Sequence, residues 1–318
     1  MNDIMKHYIK NLKNMPIALS GLALGILGLG NILANELHAY FKIIAIMIAI
    51  GFLLILISKK IFHFTVFKDE LKHVVIGSFV PTFTMCLMLL ANIIATEYLL
   101  LGKILWCYAI ILHIIIVVIF FYYRAINFNF NHILPSWFIP IVGIAVAPLS
   151  VTNIGMLTVA HIIFYIALGG YFIVLPIMLY RLIFGAVVLD NQLPSFAVMA
   201  APPNLCLAAY LTAFSDINPV IVNILLPLAI MMTCLVYIFI IRINHFKIKF
   251  IPIYASFTFP LSIGATAIIK YAYYLGLNTT YGKLWYMIGV IELIIASIAI
   301  IWVLYKMTQF VIIQLRTQ

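Results

Sequence analysis

Charge is what this sequence has least of. Only 8% of its 318 residues are Asp, Glu, Lys or Arg, and just eight are acidic. So thin a polar coat cannot cover a soluble domain of this size. With 66% hydrophobic residues and a mean hydropathy of +1.23, the chain reads as a polytopic membrane protein. Cysteine is scarce too. Cys86, Cys107, Cys206 and Cys234 all fall in apolar stretches, with no CxxC spacing and no neighbouring ligand set. That gives no support to a disulfide framework or a metal site, and the small thiols read as packing residues. The sequence also lacks a phosphate-cradling glycine loop, a Ser/His/Asp or Cys/His grouping, paired acids at one depth, and a soluble lobe able to house an ATPase. Enzyme chemistry has no constellation to work with, and no cofactor is implied.

What is present is length in apolar runs. Ten spans are predicted, at roughly 15–36, 41–58, 73–96, 101–123, 133–153, 155–180, 193–214, 218–242, 251–275 and 281–307, each near the ~20 residues a crossing helix needs. The basic leader is followed by an apolar run too long for a signal-peptide core, so the first span is expected to be retained. The net charge of +10 is distributed as topology, not as a nucleic-acid surface. With the N-terminus inside, 14 of the 18 basic residues fall on the cytoplasmic side, Lys6 and Lys247 among them. Lys42, Lys103, Lys270 and Lys283 fall outside. This bias predicts a single transmembrane domain over residues 1–318 with both termini in the cytoplasm. Lys59, Lys60, Lys68 and Lys72, with Asp69 and Glu70, form a basic loop that reads as topology and attraction to anionic lipid.

The spans repeat. Odd-numbered spans start every ~60 residues, long enough for one helical hairpin, and Leu134-Pro135-Ser136-Trp137 returns as Leu193-Pro194-Ser195-Phe196. Deeper in the same spans lies a second series, Gly21, Pro81, Pro140, Pro202 and Pro260, and ten of the 13 prolines fall in odd spans. Proline at mid-span frees a carbonyl and kinks a helix. The odd spans also carry hydroxyls, Ser20, Ser78, Thr82, Thr84, Ser150, Ser256 and Ser262 among them, while even spans run to IIAIMIAIGFLLILI. Freed carbonyls and hydroxyls are tolerated at membrane depth where they line a protein-enclosed cavity. The expected fold is therefore all-α, with ten transmembrane helices as five repeated hairpins. Five kinked inner helices surround a central pore and five outer helices face lipid.

No Asp, Glu, Lys or Arg falls in the central part of any odd span. Such a lumen binds ions weakly, which suits conduction. Anions are the better guess, because no acidic ring exists to draw cations and the cytoplasmic surface is basic. Lys270 and Lys103 read either as a mild anion lure at the outer mouth or as snorkelling side chains. Glu292, in the tenth span, and His113 and His161, on even spans, are candidates for proton or polar coupling or for structural pairing.

Four stretches carry a family resemblance: Pro16-Ile17-Ala18-Leu19-Ser20-Gly21-Leu22-Ala23-Leu24-Gly25; Leu134 to Pro140; Ala201-Pro202 with Cys206 and Ala209-Tyr210-Leu211; and Ser256-Phe257-Thr258-Phe259-Pro260-Leu261-Ser262. In order and spacing they resemble the tellurite-resistance/dicarboxylate transporter family, which includes the slow-type anion channels of plant guard cells. The resemblance implies ten helices as five hairpins, a homotrimer in the plasma membrane with one conduit per subunit, and a phenylalanine occluding the pore from the ninth helix. Carried over by position, that gate falls on Phe259, with Phe257 as the alternative, against a reading of either ring as core packing. Pro260 stands directly after the gate where a relative has Gly, and the short tails leave no room for long regulatory arms. The implied function is a channel for small inorganic or carboxylate anions. The runner-up is a proton-coupled carrier for a C4-dicarboxylate such as malate, or for sulfite, or a tellurite-resistance exporter. A membrane receptor or structural protein is the third class.

Overall fold

The computed structural model describes residues 9–245 and 249–316, so Lys6 and Lys247, used above for orientation, lie outside the described residues. Every regular element among the described residues is helical. In chain order these are α1 (Ala18–Glu36), α2 (Tyr40–Phe62), a short surface helix α3 (Phe64–Lys72), α4 (Ile76–Phe79), α5 (Pro81–Ile94) and α6 (Leu99–Ile126). After them come α7 (Phe138–Val142), α8 (Val146–Leu149), α9 (Leu157–Phe184), α10 (Ala201–Ala213), α11 (Pro219–His245), α12 (Thr258–Leu275) and α13 (Thr280–Arg316). Nine helical stretches among the described residues are long and apolar enough to cross a bilayer.

The fifth expected span is corrected. In place of a helix over 133–153, Pro135–Leu149 is a shorter apolar stretch. A 3₁₀ turn at Pro135–Trp137, α7, a second 3₁₀ turn at Gly143–Ala145 and α8 follow one another in it. Three prolines, Pro135, Pro140 and Pro148, and a glycine in so short a run remove the donors and stiffness that a continuous ladder needs.

The helices fall into two classes by burial. The hydropathic cores of α1, Ile76–Ile94, Leu193–Ala213 and Pro252–Leu275 are 72–83% buried within the chain, whereas those of α2, α6, α9, α11 and α13 are 22–33% buried. The second class presents side chains such as Ile43, Ile111, Ile162, Ile238 and Ile298 outward, a surface that suits lipid. The first class packs on itself: α1 contacts α5, α5 contacts α8, α8 contacts α10, α10 contacts α12, and α12 returns to α1. This closed sequence places the polar-flecked stretches around one axis.

The inner prolines are not mid-helix kinks. Each stands in the first turn of an α-helix that follows a break: Pro81 opens α5, Pro140 is third in α7, Pro202 second in α10 and Pro260 third in α12. Leu193–Ala200 and Pro252–Phe257, immediately before α10 and α12, are 3₁₀. A first-turn N–H has no intrahelical partner anyway, so proline there costs no hydrogen bond. The repeated feature is this change of helical hydrogen bonding just before or at the proline.

The hydroxyls are mostly spent on those breaks. Thr82 donates to the Phe79 carbonyl (2.6 Å), Ser256 to Ile253 (2.7 Å) and Thr258 to Ala255 (2.7 Å), each three residues back. They also knit neighbours: Ser20 and Thr82 pair at 2.6 Å, Ser256 reaches the Pro194 carbonyl at 2.5 Å, and Thr258 reaches Gly21 at 3.1 Å. The basic loop is corrected as well. Lys59 is buried, donating to Glu70 (2.5 Å) and to the Met15 carbonyl (2.6 Å). An ammonium spent on those two acceptors is not available to lipid headgroups. Arg124 donates to the Lys72 carbonyl, and Arg181 to those of Ala186 and Asn131.

Candidate conduction pathway

Three cavities lie along the axis. The N-terminal ends of the inner stretches meet in a vestibule of about 340 Å³, bordered by Ile17, Glu70, His73, Phe79, Gln192 and Ile253 among others. Their C-terminal ends surround a second of about 450 Å³, bordered by Asn31, Asn92, Ser262, Thr266 and Lys270 among others. Between them sits a neck of only about 40 Å³, space for a few waters at most. All five inner stretches contribute to the neck, among them Gly21 and Leu24, Phe79 with Thr82 and Met85, Phe138 with Val142, Pro202 with Leu205, and Phe259 with Pro260. None of its lining residues is charged.

Two rings mark the ends of the neck. Phe259 lines both the neck and the 450 Å³ vestibule. Phe79 lines both the neck and the 340 Å³ vestibule. Phe259 is held by close helix packing. A Cβ on Gly25 would stand 2.4 Å from Thr258 Cβ and 2.8 Å from the Phe259 nitrogen, so only glycine lets α1 approach α12 there. Phe257 goes elsewhere. It borders none of these cavities and packs on Tyr254, which stacks on Phe250 and meets Trp302 edge-on.

The other predicted residues separate in the same way. Gly21, Pro202 and Pro260 line the neck, and Ser262 lines the 450 Å³ vestibule; Pro81 and Pro140 border neither. His113 is fully buried, with Thr84 Oγ1 2.8 Å from Nδ1 and the Pro140 carbonyl 3.3 Å from Nε2. A carbonyl only accepts, so Nε2 carries the proton in this pairing. His161 sits 2.9 Å from the Ala213 carbonyl through Nε2 and stacks on Phe214. Each histidine thus pins an outer helix to a neighbour. Glu292 faces Gly264 of α12, with Oε2 3.3 Å from where a Cβ there would stand, and that oxygen has no hydrogen-bond partner in the described structure. Asn204, which donates to Thr233 Oγ1 (2.9 Å) and to the Ala200 carbonyl, borders the same glycine. None of Glu292, Gly264, Asn204 and Thr233 lines the neck.

A chain with a narrow, charge-free neck between two vestibules has the form of a conduit, and comparison with known proteins names the kind. The profile of the SLAC1 family, described as voltage-dependent anion channel, matches residues 14–308. The chain belongs to that family. It is also 27% identical over 216 residues to an uncharacterized transporter of Methanocaldococcus jannaschii, and the match covers 60% of each chain. The family's description is of an anion channel, and the nine apolar helices among the described residues make the chain a multi-pass membrane protein. Within that frame, Phe79 is the residue the motifs did not single out. A signal for it exists: Phe79-Val80-Pro81 and Phe138-Ile139-Pro140 share a Phe-x-Pro order, and Phe259 directly precedes Pro260. In all three an aromatic ring that lines the neck stands beside a break.

Proposed function

We propose that this chain is an anion channel of the cell membrane, built as five hairpins with both termini in the cytoplasm, and that Phe259 is its plug. One observation carries the reading: the Phe259 ring borders the neck on one side and the wide vestibule on the other. An apolar ring in a neck too small for a hydrated ion blocks by dewetting as well as by bulk. Selectivity for anions is favoured by backbone, not by fixed charge. First turns of α1, α5, α10 and α12 contribute Gly21, Thr82, Pro202 and Phe259 to the neck, and helix N-termini carry partial positive charge. The carbonyls freed at the breaks, which would repel an anion, are already occupied by Thr82, Ser256 and Thr258.

The substrates under this reading are small inorganic or carboxylate anions, and the assembly is a homotrimer with one conduit per subunit. The test is flux in proteoliposomes holding Phe259→Ala, with reversal potentials taken under chloride, nitrate and malate gradients. Currents that reverse at the Nernst potential of the anion support a channel, and an opened variant that conducts none of them sinks the reading. A proton-coupled carrier has one observation in its favour, the partnerless Glu292 Oε2 beside the pore helix. It requires malate uptake driven by a pH gradient and lost in Glu292→Gln.

A further inference from the structure

The 450 Å³ vestibule contains more polar chemistry than a passage needs. On α12 the residues Phe259, Ser262, Thr266, Lys270 and Tyr273 recur at helical spacing and all border it. Lys270 therefore lies on the lumen stripe and not on the lipid face. Eleven residues separate it from Phe259, or about 16 Å at 1.5 Å per residue, which puts it at the mouth. Lys42 of α2 borders the same space. Neither ammonium has a hydrogen-bond or ion-pair partner among the described residues. One carboxylate, Glu36, also borders the vestibule, but it is engaged by Tyr286 (2.7 Å) and Tyr273 (3.1 Å).

The amides point the same way. Asn92 Oδ1 already accepts from the Asn153 backbone (2.9 Å) and from Thr152 Oγ1 (3.3 Å), so what Asn92 has left to offer is its NH₂. Asn31 and Asn35, one turn apart on α1, border the cavity as well. Two ammoniums and the Asn92 NH₂, all without a partner among the described residues, are complementary to a group that only accepts. An ionised oxyanion is such a group, with several oxygen lone pairs that can take donors from separate walls. A halide has no second oxygen to bridge them.

Building on the anion-conduit reading, we infer that this vestibule is a staging site for a small oxyanion, held by the Lys270 ammonium and the Asn92 amide before it reaches Phe259. The shared chemistry is two or more acceptor oxygens on one anionic group, and an organic carboxylate and an inorganic oxyanion are its two sources.

The test is thermal unfolding of the full chain in nanodiscs, titrated with acetate, nitrate or chloride at constant ionic strength. A ligand that binds the folded state raises the unfolding temperature by mass action. Acetate or nitrate is expected to stabilise the wild type, and which of the two does so more strongly assigns the source. Lys270→Gln should weaken that binding by about tenfold or more, the effect of losing a charged hydrogen-bond partner, while Lys270→Arg retains most of it. Asn92→Asp keeps Oδ1 for Thr152 and Asn153 but replaces the NH₂ with an anionic oxygen. It should weaken binding comparably, which guards against a misfolded Lys270→Gln. Equal stabilisation of all four proteins, or chloride acting as well as either oxyanion, overturns the site. Binding does not require an open neck. Lys270-dependent stabilisation with no flux through Phe259→Ala would thus leave the site standing and remove the conduit, and flux without such binding would do the reverse.

Discussion

If Phe259 is the plug, replacing it must raise conduction in proportion to the ring removed, and the structure sets the size. Phe259 is 6% exposed and buried among inner-helix side chains. Truncating a buried Phe to Ala costs about 3–5 kcal/mol, and cavities on both sides of this ring put it near 3. Swinging the intact ring aside forfeits a similar set of contacts. At ~3 kcal/mol the open state is on the order of 1% populated, so Phe259→Ala should raise time-averaged flux on the order of 100-fold. Phe259→Leu, which keeps part of the bulk, should fall between, and Phe259→Trp should stay closed. Phe257→Ala is the control, because that ring packs toward Tyr254 and Trp302, away from the lumen. It should destabilise the protein without opening it. Stopped-flow anion flux in proteoliposomes, with unfolding temperature measured on the same preparations, reads both effects. Flux that rises in Phe257→Ala and not in Phe259→Ala would refute the reasoning, as would equal flux for Ala, Leu and Trp.

Three further outcomes follow from other parts of the chain. Gly25→Ala puts a methyl 2.4 Å from Thr258 Cβ. It should cost about 1–3 kcal/mol as α1 and α12 separate and should raise basal flux by loosening Phe259, whereas Gly51→Ala, where nothing lies within 4 Å, should do neither. Burial pushes the Glu70 carboxyl above its ordinary value even though Lys59 pulls it down. Its contribution to stability is thus full below the ordinary carboxylate range and lost as pH rises through the raised value. Glu70→Gln should flatten that part of the unfolding-temperature profile, and a wild-type minus variant difference that does not fall with rising pH refutes it. His73 Nδ1 accepts from the Val75 and Ile76 nitrogens, capping α4, the helix that ends on Phe79. Burial and Arg124 hold its imidazole below the usual histidine range, so the cap is intact above that range and is lost as pH falls through the lowered value. Acid should therefore raise flux through the Phe79 end, and His73→Asn, which keeps an acceptor but cannot titrate, should abolish that dependence.

Much of the fold could be read from the sequence because the bilayer leaves few options. Helices of unbroken Ile and Leu such as α2 and α6 belong outside, and polar-flecked ones belong where protein covers them; the burial of α1 and α12 against that of α13 follows the same division. What hydropathy could not resolve was backbone. Pro81, Pro202 and Pro260 read equally as kinks in one helix or as first-turn residues after a break, and only the partners of the freed carbonyls decide. Those partners come from side chains three residues on, as with Thr82 and Phe79, or from a neighbour far away in sequence, as with Ser256 and Pro194. The stretch from Pro135 to Leu149 is the extreme case, apolar enough to count as a span but with prolines spaced too closely to form one.

The same logic explains why the site was only half legible. A charged or metal-binding site announces itself by residue type, but this neck is lined largely by Phe, Leu, Met, Val and Pro, indistinguishable one by one from packing. Phe259 stood out because its position in the repeat and its resemblance-carrying motif coincided. Phe79, whose Phe-x-Pro order is too short to stand out among 23 phenylalanines, emerges because it borders two cavities at once. Lys270 is the converse. Its charge was conspicuous, yet snorkelling explained it equally well until its face on α12 was fixed by Ser262 and Thr266 below it and by the lack of a carboxylate partner among the described residues. In a conduit without fixed charge at the constriction, recognition has to sit where water remains to solvate the ion. The donors therefore collect in the vestibule, and the neck is left to bulk and dryness.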